Sequence, residues 1–251
     1  MTSTRVALTV LRIAVQDRPV CPLESPMTDA AGNAPFIVFD RVTRRYGAFR
    51  LALADFSMVV ERGEFVLIVG PNGSGKSTVL RLIAALDSPS SGRVLVGGAL
   101  VSGLKRRALC LLRQSMGVVP QEALLLEDRN TLENVMLPAL VAGQSRKEAD
   151  RRARAALERV ALDAAKKRIN ELSGSERQLL ALARAIVNRP ALVLADEPTA
   201  HLDPDSTRSI VQLLEQFAIA GVTVVVATHG PSSRAPSRAR VVALRDGRLA
   251  L

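Results

Sequence analysis

Short apolar segments alternate along the chain with longer stretches in which apolar residues recur every three or four positions. The apolar segments predict strands at residues 36–39, 56–60, 65–69, 94–96, 191–194, 222–227 and 241–244, and the amphipathic stretches predict helices at 79–86, 175–188 and 207–220. Residues 65–69 and 222–226 are apolar throughout, which is typical of strands buried on both faces. The alternation therefore predicts an α/β fold with a mainly parallel central sheet covered by helices.

Two regions depart from this alternation. Residues 36–66 and 93–101 hold closely spaced strand patterns and predict a small antiparallel β lobe. The stretch 145–160 is amphipathic and predicts a helical insertion, within a helical subdomain at about 122–175. We expect one domain over residues 35–251, preceded by an extension over 1–34 that is either disordered or mis-assigned. In the simpler account residues 1–26 lie upstream of the true start at Met27, and otherwise they form a disordered tail.

Composition and charge exclude several classes of protein. The two cysteines, Cys21 and Cys110, are far apart, which argues against a disulfide framework or a metal knuckle. No run of about 18 apolar residues predicts a membrane span. The net charge of +10 is concentrated partly in residues 146–168, where interleaved acidic residues favour a solvated helix face; an anionic lipid surface is the alternative. Nucleic acid is not expected, because no aromatic-interleaved basic patch is present.

The strongest chemical signal is a complete G-x-x-x-x-G-K-[ST] motif between a predicted strand and a predicted helix. Its glycines let backbone N–H groups approach phosphate oxygens closely, and the positive end of the following helix favours the same anion. The lysine reaches the β- and γ-phosphates and the serine hydroxyl is a ligand for Mg²⁺. The sequence therefore predicts a P-loop that binds a nucleoside triphosphate through Gly70, Pro71, Asn72, Gly73, Ser74, Gly75, Lys76, Ser77 and Thr78.

A second signal is the predicted strand 191–194, which runs into Asp196 and Glu197. Paired carboxylates at this point lie at the carboxyl edge of an open α/β sheet, where such sheets bind ligands. Asp196 is expected to hold Mg²⁺ and Glu197 to polarise the attacking water. On its own the pattern also fits an ordinary strand end at the surface. The presence of the P-loop favours a catalytic and metal-binding role for the two carboxylates.

Residues 172–178, Leu-Ser-Gly-Ser-Glu-Arg-Gln, resemble the LSGGQ signature of the ABC ATPases, and the order of motifs over residues 36–251 agrees with that family. The resemblance implies a P-loop NTPase fold, ATP hydrolysis with Mg²⁺, and an ATP-dependent homodimer. In that dimer, Ser173 and Gly174 of one subunit close over the ATP held by the other. Ser175 replaces the second glycine of the signature, which leaves a nucleotide-binding scaffold with little turnover as an alternative.

Further positions match the family one by one, and each role is implied by the resemblance. Tyr46 matches the aromatic residue that stacks on adenine, with a packing role in the β lobe as the alternative. Gln121 matches the glutamine that meets Mg²⁺ and senses the membrane partner, and Asp203 lies in the loop that crosses the dimer interface. His229 matches the histidine that contacts the γ-phosphate, whereas His201 is expected to be structural. The catalytic residues are thus predicted to be Lys76, Glu197 and His229.

Five stretches, at residues 111–117, 124–129, 134–138, 185–190 and 221–229, are similar to the FtsE family of cell-division ATP-binding proteins. This resemblance implies an FtsX-like integral membrane partner, a peripheral location at the cytoplasmic face of the inner membrane, and a role in activating septal wall hydrolysis. ATPases that release lipoproteins or export macrolides share much of the pattern, so a transport ATPase is the main alternative.

Overall fold

The computed structural model describes residues 34–47, 50–163, 167–229 and 236–250. The chain divides into two compact units, of which the first comprises the described parts of Met1–Arg113 and Ala227–Leu251 and the second comprises Gln114–Val226. The predicted extension over residues 1–34 lies outside the described residues, except for Ala34. The predicted domain boundaries, including the helical subdomain at about 122–175, stay predictions.

The first unit contains a four-stranded antiparallel sheet with the strand order β2-β1-β4-β5. Its strands are β1 (Ile37–Tyr46), β2 (Arg50–Val60), β4 (Ser91–Val96) and β5 (Ala99–Leu100). The rings of Phe39 and Phe56 meet edge to face in its core, with 5.3 Å between their centroids. This sheet is the predicted antiparallel lobe. β1 and β2 are longer than the predicted strands because polar residues alternate with the apolar ones on the exposed face.

The same unit holds the elements around the P-loop. They are β3 (Phe65–Val69), α1 (Lys76–Ile83), a 3₁₀ turn at Val101–Gly103, α2 (Arg106–Gln114), β9 (Arg240–Arg245) and β10 (Arg248–Leu249). β3 pairs in parallel with β9, and β10 turns back to pair antiparallel with β9. The predicted helix 79–86 is displaced, because α1 begins directly after Gly75 and is followed by Ala85 in a left-handed conformation (φ 55°).

The second unit combines a parallel strand pair with the longer helices. Its elements are β6 (Met116–Val119), α3 (Thr131–Val141), α4 (Arg146–Arg159), a 3₁₀ turn at Ile169–Glu171, α5 (Gly174–Ile186), β7 (Leu192–Asp196), α6 (Pro204–Ile219) and β8 (Thr223–Thr228), whose last two residues belong to the first unit. β6 pairs in parallel with β7, and β8 is the neighbour of β7 on the other side. Leu180, Leu182, Leu192 and Leu194 are fully buried in the core of this unit.

Helix starts in this unit follow from capping side chains. Asn130, Ser145 and Ser173 each accept a hydrogen bond from the backbone N–H three residues later, and Asp203 caps α6 with Pro204 at its first position. The predicted helices 175–188 and 207–220 are therefore confirmed within a few residues. No helix of the described segments is long and apolar enough to cross a membrane.

The sequence interpretation missed α2, β6 and α3, and also the two-residue strands β5 and β10. Pro138 lies inside α3 and reads as a helix breaker, yet the helix continues to Val141 and the N–H of Ala142 still bonds to the Pro138 carbonyl at 3.0 Å. β6 has only four residues and includes Gly117, so its apolar pattern is too short to stand out.

Candidate nucleotide-binding site

The P-loop lies between β3 and α1, as its motif predicts. The Lys76 side chain is only 6% exposed, and its ammonium donates to the carbonyls of Gly70 and Pro71 at 2.9 and 3.1 Å. The loop therefore wraps around its own lysine. These carbonyl bonds hold the buried positive charge within the loop, where the motif places the phosphates of a nucleotide.

Backbone conformation, close packing or both explain why glycine occupies three positions of the loop. Gly73 and Gly75 adopt positive φ angles of 81° and 106°, which side chains disfavour. A Cβ atom on Gly75 would also lie 2.4 Å from the Ala52 carbonyl oxygen, and one on Gly70 would lie 2.1 Å from the Leu244 carbonyl oxygen. The backbone of the loop is therefore packed against two other backbone segments that leave no room for a side chain.

Those two segments are β2, which contains Ala52, and β9, which contains Leu244, and the turn between β9 and β10 adds to the support. Gly247 in this turn donates its N–H to the Ser74 carbonyl at 3.0 Å and accepts from the Ala54 N–H at 2.9 Å. Arg240 at the start of β9 forms a two-pronged ion pair with Glu64, just before β3. The support of the P-loop therefore comes from the far end of the chain, and no motif in the sequence indicated it.

Tyr46, the predicted adenine-stacking residue, lies at the end of β1 and is half-buried. Its hydroxyl donates to Asp87 Oδ2 at 2.5 Å, and the Arg44 guanidinium lies 4.5 Å from its ring centroid. Burial acts to raise the pKa of Asp87, but the hydrogen bonds from Tyr46 and from the Ser88 N–H, together with the charge of Arg44, outweigh burial and lower it from the ordinary value. Sequence reasoning missed Asp87, which carries no motif.

In the second unit, Gln121 and Asp196 lie at the same edge of the sheet. Val119 of β6 is the register partner of Ala195 of β7 in a parallel pair, and the two predicted Mg²⁺ ligands follow these residues closely. Their carboxylate and amide oxygens, like the hydroxyl of Ser77 in the first unit, are the hard ligands that Mg²⁺ prefers. The types of ligand therefore fit the metal.

Glu197, the predicted catalytic carboxylate, directly follows β7 and is only 7% exposed. It adopts a left-handed backbone conformation with φ 46°, and its carbonyl accepts from the Ala200 N–H at 3.1 Å in a tight turn. A non-glycine residue in this conformation stores strain, and such strain is concentrated at functional sites. Asp246, directly after β9, has the same conformation but is exposed, so it is the burial of the carboxylate that distinguishes Glu197 from an ordinary residue at a strand end.

The signature segment begins α5 with a reciprocal cap. Ser173 Oγ accepts from the Glu176 N–H at 3.2 Å, and Glu176 Oε2 accepts from the Ser173 N–H at 2.8 Å. This backbone bond, followed by the bond from Lys167, lowers the pKa of Glu176. Ser173 and Gly174 are exposed, and Ser175 Oγ lies 3.2 Å from Ser173 Oγ. Ser175 thus shares a hydrogen bond with the hydroxyl that is predicted to face the γ-phosphate.

The two remaining predicted residues have contrasting surroundings. Asp203 caps α6 by accepting from the N–H groups of Asp205 and Ser206, and the bonds from Ser206 are the main cause of its lowered pKa. His229 follows β8 and is exposed. The next residue, Gly230, lies outside the described residues.

Arg184 of α5 is a further residue that sequence reasoning did not assign. Its guanidinium donates to the carbonyls of Leu124 and Ala123, at 2.7 and 2.5 Å. These bonds fix the segment that follows Gln121, where Leu124 has a left-handed conformation and is 69% exposed.

Comparisons with known proteins agree with this geometry. The model of the ABC transporter family matches residues 53–200. The chain is 43% identical over 215 residues to the cell division ATP-binding protein FtsE of Mycobacterium tuberculosis, covering 85% of this chain and 94% of that protein. FtsE of Escherichia coli (strain K12) is 40% identical over 214 residues, with 85% and 96% covered. The macrolide export ATP-binding/permease protein MacB of Burkholderia pseudomallei is 39% identical over 222 residues, but only 34% of that protein is covered.

Solved structures show the same fold. The dimeric structure of MJ0796, a bacterial ABC transporter cassette, matches with a TM-score of 0.79 and 36% identity, covering 86% of this chain and 97% of that one. A dimer of the same cassette in a post-hydrolysis state with ADP and Pi matches with a TM-score of 0.79 and 35% identity. These matches confirm the predicted P-loop NTPase fold, the ABC-type ATPase assignment and the similarity to FtsE. The chain belongs to the ABC transporter family, as one of its ATP-binding cassettes.

Proposed function

We propose that this chain is the ATP-hydrolysing subunit of an FtsE-type complex in cell division. Two copies close around ATP, hydrolysis reopens the dimer, and an FtsX-like integral membrane protein receives the movement at the cytoplasmic face of the inner membrane. The observation that carries the proposal is the P-loop, in which the buried Lys76 and the tightly packed Gly70 and Gly75 suit the binding of a triphosphate. The FtsE relatives, which match this chain over nearly their whole length, support the cell-division role.

Each group has a distinct part in the proposed reaction. The backbone N–H groups of the segment 70–78, in which Pro71 has none, and the Lys76 ammonium bind the phosphates, and Tyr46 stacks on adenine. Mg²⁺, when held by Ser77, Gln121 and Asp196, supplies positive charge that offsets charge on the phosphates.

Glu197 accepts a hydrogen bond from the attacking water and orients it towards the γ-phosphorus. Its burial strengthens this interaction, because a carboxylate shielded from bulk water interacts more strongly with its neighbours. His229 contacts the γ-phosphate, and Ser173 of the second subunit donates to the same group from the start of α5. Loss of the γ-phosphate removes the group that bridges the two subunits, and Asp203 lies in the loop that crosses between them.

The test is an affinity purification from detergent-solubilised membranes with a Glu197→Gln variant as bait. This variant is expected to bind ATP and to hydrolyse it at least about a hundredfold more slowly than wild type, because a positioned general base contributes about that factor. Lys76→Ala, which removes the phosphate-binding ammonium, is the control without nucleotide. Glu158→Gln, which changes an exposed carboxylate on α4, is the matched control for the loss of a charge.

The expected result is an FtsX-like membrane protein that mass spectrometry detects with Glu197→Gln and ATP, and not with Lys76→Ala. An exporter permease in its place would replace the division role by transport, which the similarity to MacB makes the second candidate. Equal, substantial ATPase rates for wild type and Glu197→Gln would contradict the role of Glu197, and negligible hydrolysis by wild type would contradict the enzymatic half of the proposal and favour a nucleotide-binding scaffold.

A further inference from the structure

The carboxylate of Asp87 collects hydrogen bonds from three directions. The Tyr46 hydroxyl donates to Oδ2 at 2.5 Å, while the Arg44 Nη2 and the Ser88 N–H reach Oδ1 at 2.6 and 2.8 Å. The Asp87 side chain is only 10% exposed, so water competes little for these bonds. Tyr46 and Arg44 are brought to Asp87 across more than forty residues of sequence. The contact is therefore a feature of the folded unit rather than of a local turn.

This arrangement fixes the orientation of the Tyr46 ring. The hydroxyl bond to Asp87 restrains the far end of the side chain, and the Arg44 guanidinium, itself held by Asp87, lies over the ring at 4.5 Å from its centroid. Arg50, the register partner of Tyr46 on β2, places a second guanidinium 5.9 Å from the centroid. A tyrosine held at both ring and hydroxyl has lost most of its rotamer freedom before any ligand arrives.

Asp87 also connects Tyr46 to the P-loop. It follows α1, the eight-residue helix that begins with Lys76 and is about 12 Å long. The segment after Asp87 is bonded to β1, because the Ser90 N–H donates to the Thr43 carbonyl at 2.8 Å and Ser90 Oγ accepts from the Arg45 N–H at 3.1 Å. The helix that presents the phosphate-binding residues and the strand that presents Tyr46 are thus joined through one short segment.

We infer that Asp87 is a positioning residue for adenine: it presents the Tyr46 ring in the orientation that the base of ATP stacks on, at a fixed place relative to the P-loop. The inference rests on the proposed function, in which Tyr46 stacks on adenine. Stacking of a base on an aromatic side chain raises affinity by about fivefold to a hundredfold. Part of that gain depends on a ring that is already ordered, since ordering it during binding costs free energy.

The experiment compares ATP with inorganic tripolyphosphate, a ligand that uses the P-loop and has no base. Dissociation constants for both are measured with Mg²⁺ on the full chain for wild type, Asp87→Ala, Tyr46→Phe and the double variant. The control is Asp40→Ala, which removes a carboxylate of β1 that is paired with Arg93, at 3.1 and 2.6 Å, in the same sheet. Tyr46→Phe keeps the ring and removes only the hydroxyl bond.

Asp87→Ala and Tyr46→Phe are each expected to raise the Kd for ATP about threefold to tenfold and to leave the Kd for tripolyphosphate unchanged. The double variant is expected to be no weaker than the weaker single variant, because both changes break the same bond. The Asp40→Ala variant is expected to bind both ligands like wild type.

Several results would overturn the inference. An equal loss for both ligands in Asp87→Ala would mean that the carboxylate only stabilises the segment after α1. Wild-type ATP affinity in Tyr46→Phe, or additive losses in the double variant, would show that the hydroxyl bond does not act on the base. If wild type bound tripolyphosphate and ATP equally well, the stacking role of Tyr46 would fail and the inference with it. If it bound neither, the proposed function itself would fail.

Discussion

Replacing Gly75 by alanine tests whether the P-loop is constrained by backbone conformation, by close packing, or by both. Gly75 has φ 106° and ψ 1°, and a left-handed conformation costs an alanine about 1–2 kcal/mol. The added Cβ would lie 2.4 Å from the Ala52 carbonyl oxygen, a backbone atom that cannot rotate away. Forcing such a group into a packed site costs about 1–3 kcal/mol. The two costs together destabilise the variant by about 2–5 kcal/mol.

Two neighbouring glycines separate these costs. Gly73 has φ 81° but no atom within 4 Å of the place that an added Cβ would occupy, so Gly73→Ala carries only the conformational cost of about 1–2 kcal/mol. Gly70 lacks a positive φ, but its Cβ would lie 2.1 Å from the Leu244 carbonyl oxygen, so Gly70→Ala carries only the packing cost of about 1–3 kcal/mol. Gly75→Ala is expected to be the most destabilised of the three.

The assay is thermal unfolding followed by far-ultraviolet circular dichroism, without nucleotide, because a bound ligand would raise the Tm. At about 2–4 °C per kcal/mol for a chain of this size, Gly75→Ala is expected to lower the Tm by about 4–20 °C, and Gly73→Ala by about 2–8 °C. A decrease for Gly75→Ala that is no larger than that for Gly73→Ala would refute the role of the Ala52 contact.

Three further predictions concern the second unit. Asn134 is fully buried and bonds to the N–H and the carbonyl of Leu126. Asn134→Ala is therefore expected to lower the free energy of unfolding, measured in urea, by about 2–4 kcal/mol, and by more than Asn188→Ala, which loses one bond. Equal losses for the two variants would contradict this. The pKa of Glu176 is lower in the folded chain than its ordinary value of 4.5. The ionised carboxylate therefore stabilises the fold at pH values above 4.5, and this stabilisation is lost as the pH falls through the pKa of the folded state. The Tm difference between wild type and Glu176→Gln should therefore be constant above about pH 5 and shrink below about pH 4, whereas a difference independent of pH would argue against the carboxylate. Ser175→Gly removes the hydroxyl that lies 3.2 Å from Ser173 Oγ. The variant is expected to raise the rate of steady-state phosphate release about twofold to tenfold, which is the free energy of one hydrogen bond expressed as a rate factor. An unchanged rate would show that Ser175 does not compete for Ser173.

The sequence predicted the elements that have strong local signals. The P-loop and the apolar strand 65–69 before it each depend on residues within a few positions of one another, and the structure has both where they were expected. Helix α6 begins at Asp203 and Pro204, which are also local signals. Such signals were not always sufficient, because α3 was missed although Asn130 and Glu133 cap its start, and α6 begins three residues before the predicted helix.

Local signals failed where tertiary contacts override them. Proline ordinarily interrupts a helix, but Pro138 lies inside α3, and its carbonyl accepts hydrogen bonds from the Ala142 N–H and from the Asn188 side chain. The partners of Tyr46 were equally hidden, because Asp87 is 41 residues away in sequence and meets the tyrosine only in the folded chain. A carboxylate in an ordinary-looking loop carries no pattern that separates it from a solvated one.

The P-loop could be recognised from the sequence, whereas the backbone contacts that hold it in place could not. The loop touches its nucleotide through residue types that the chemistry demands, namely glycine, lysine and serine, and these leave a pattern in the sequence. It touches the rest of the first unit through the backbone carbonyls of Ala52 and Leu244 and the N–H of Gly247. Every residue but proline offers both groups, so this side of the contact leaves almost no trace in the sequence. In the sequence, only the glycines reveal this close packing. Substitutions at Gly70 and Gly75 therefore test how the loop is held.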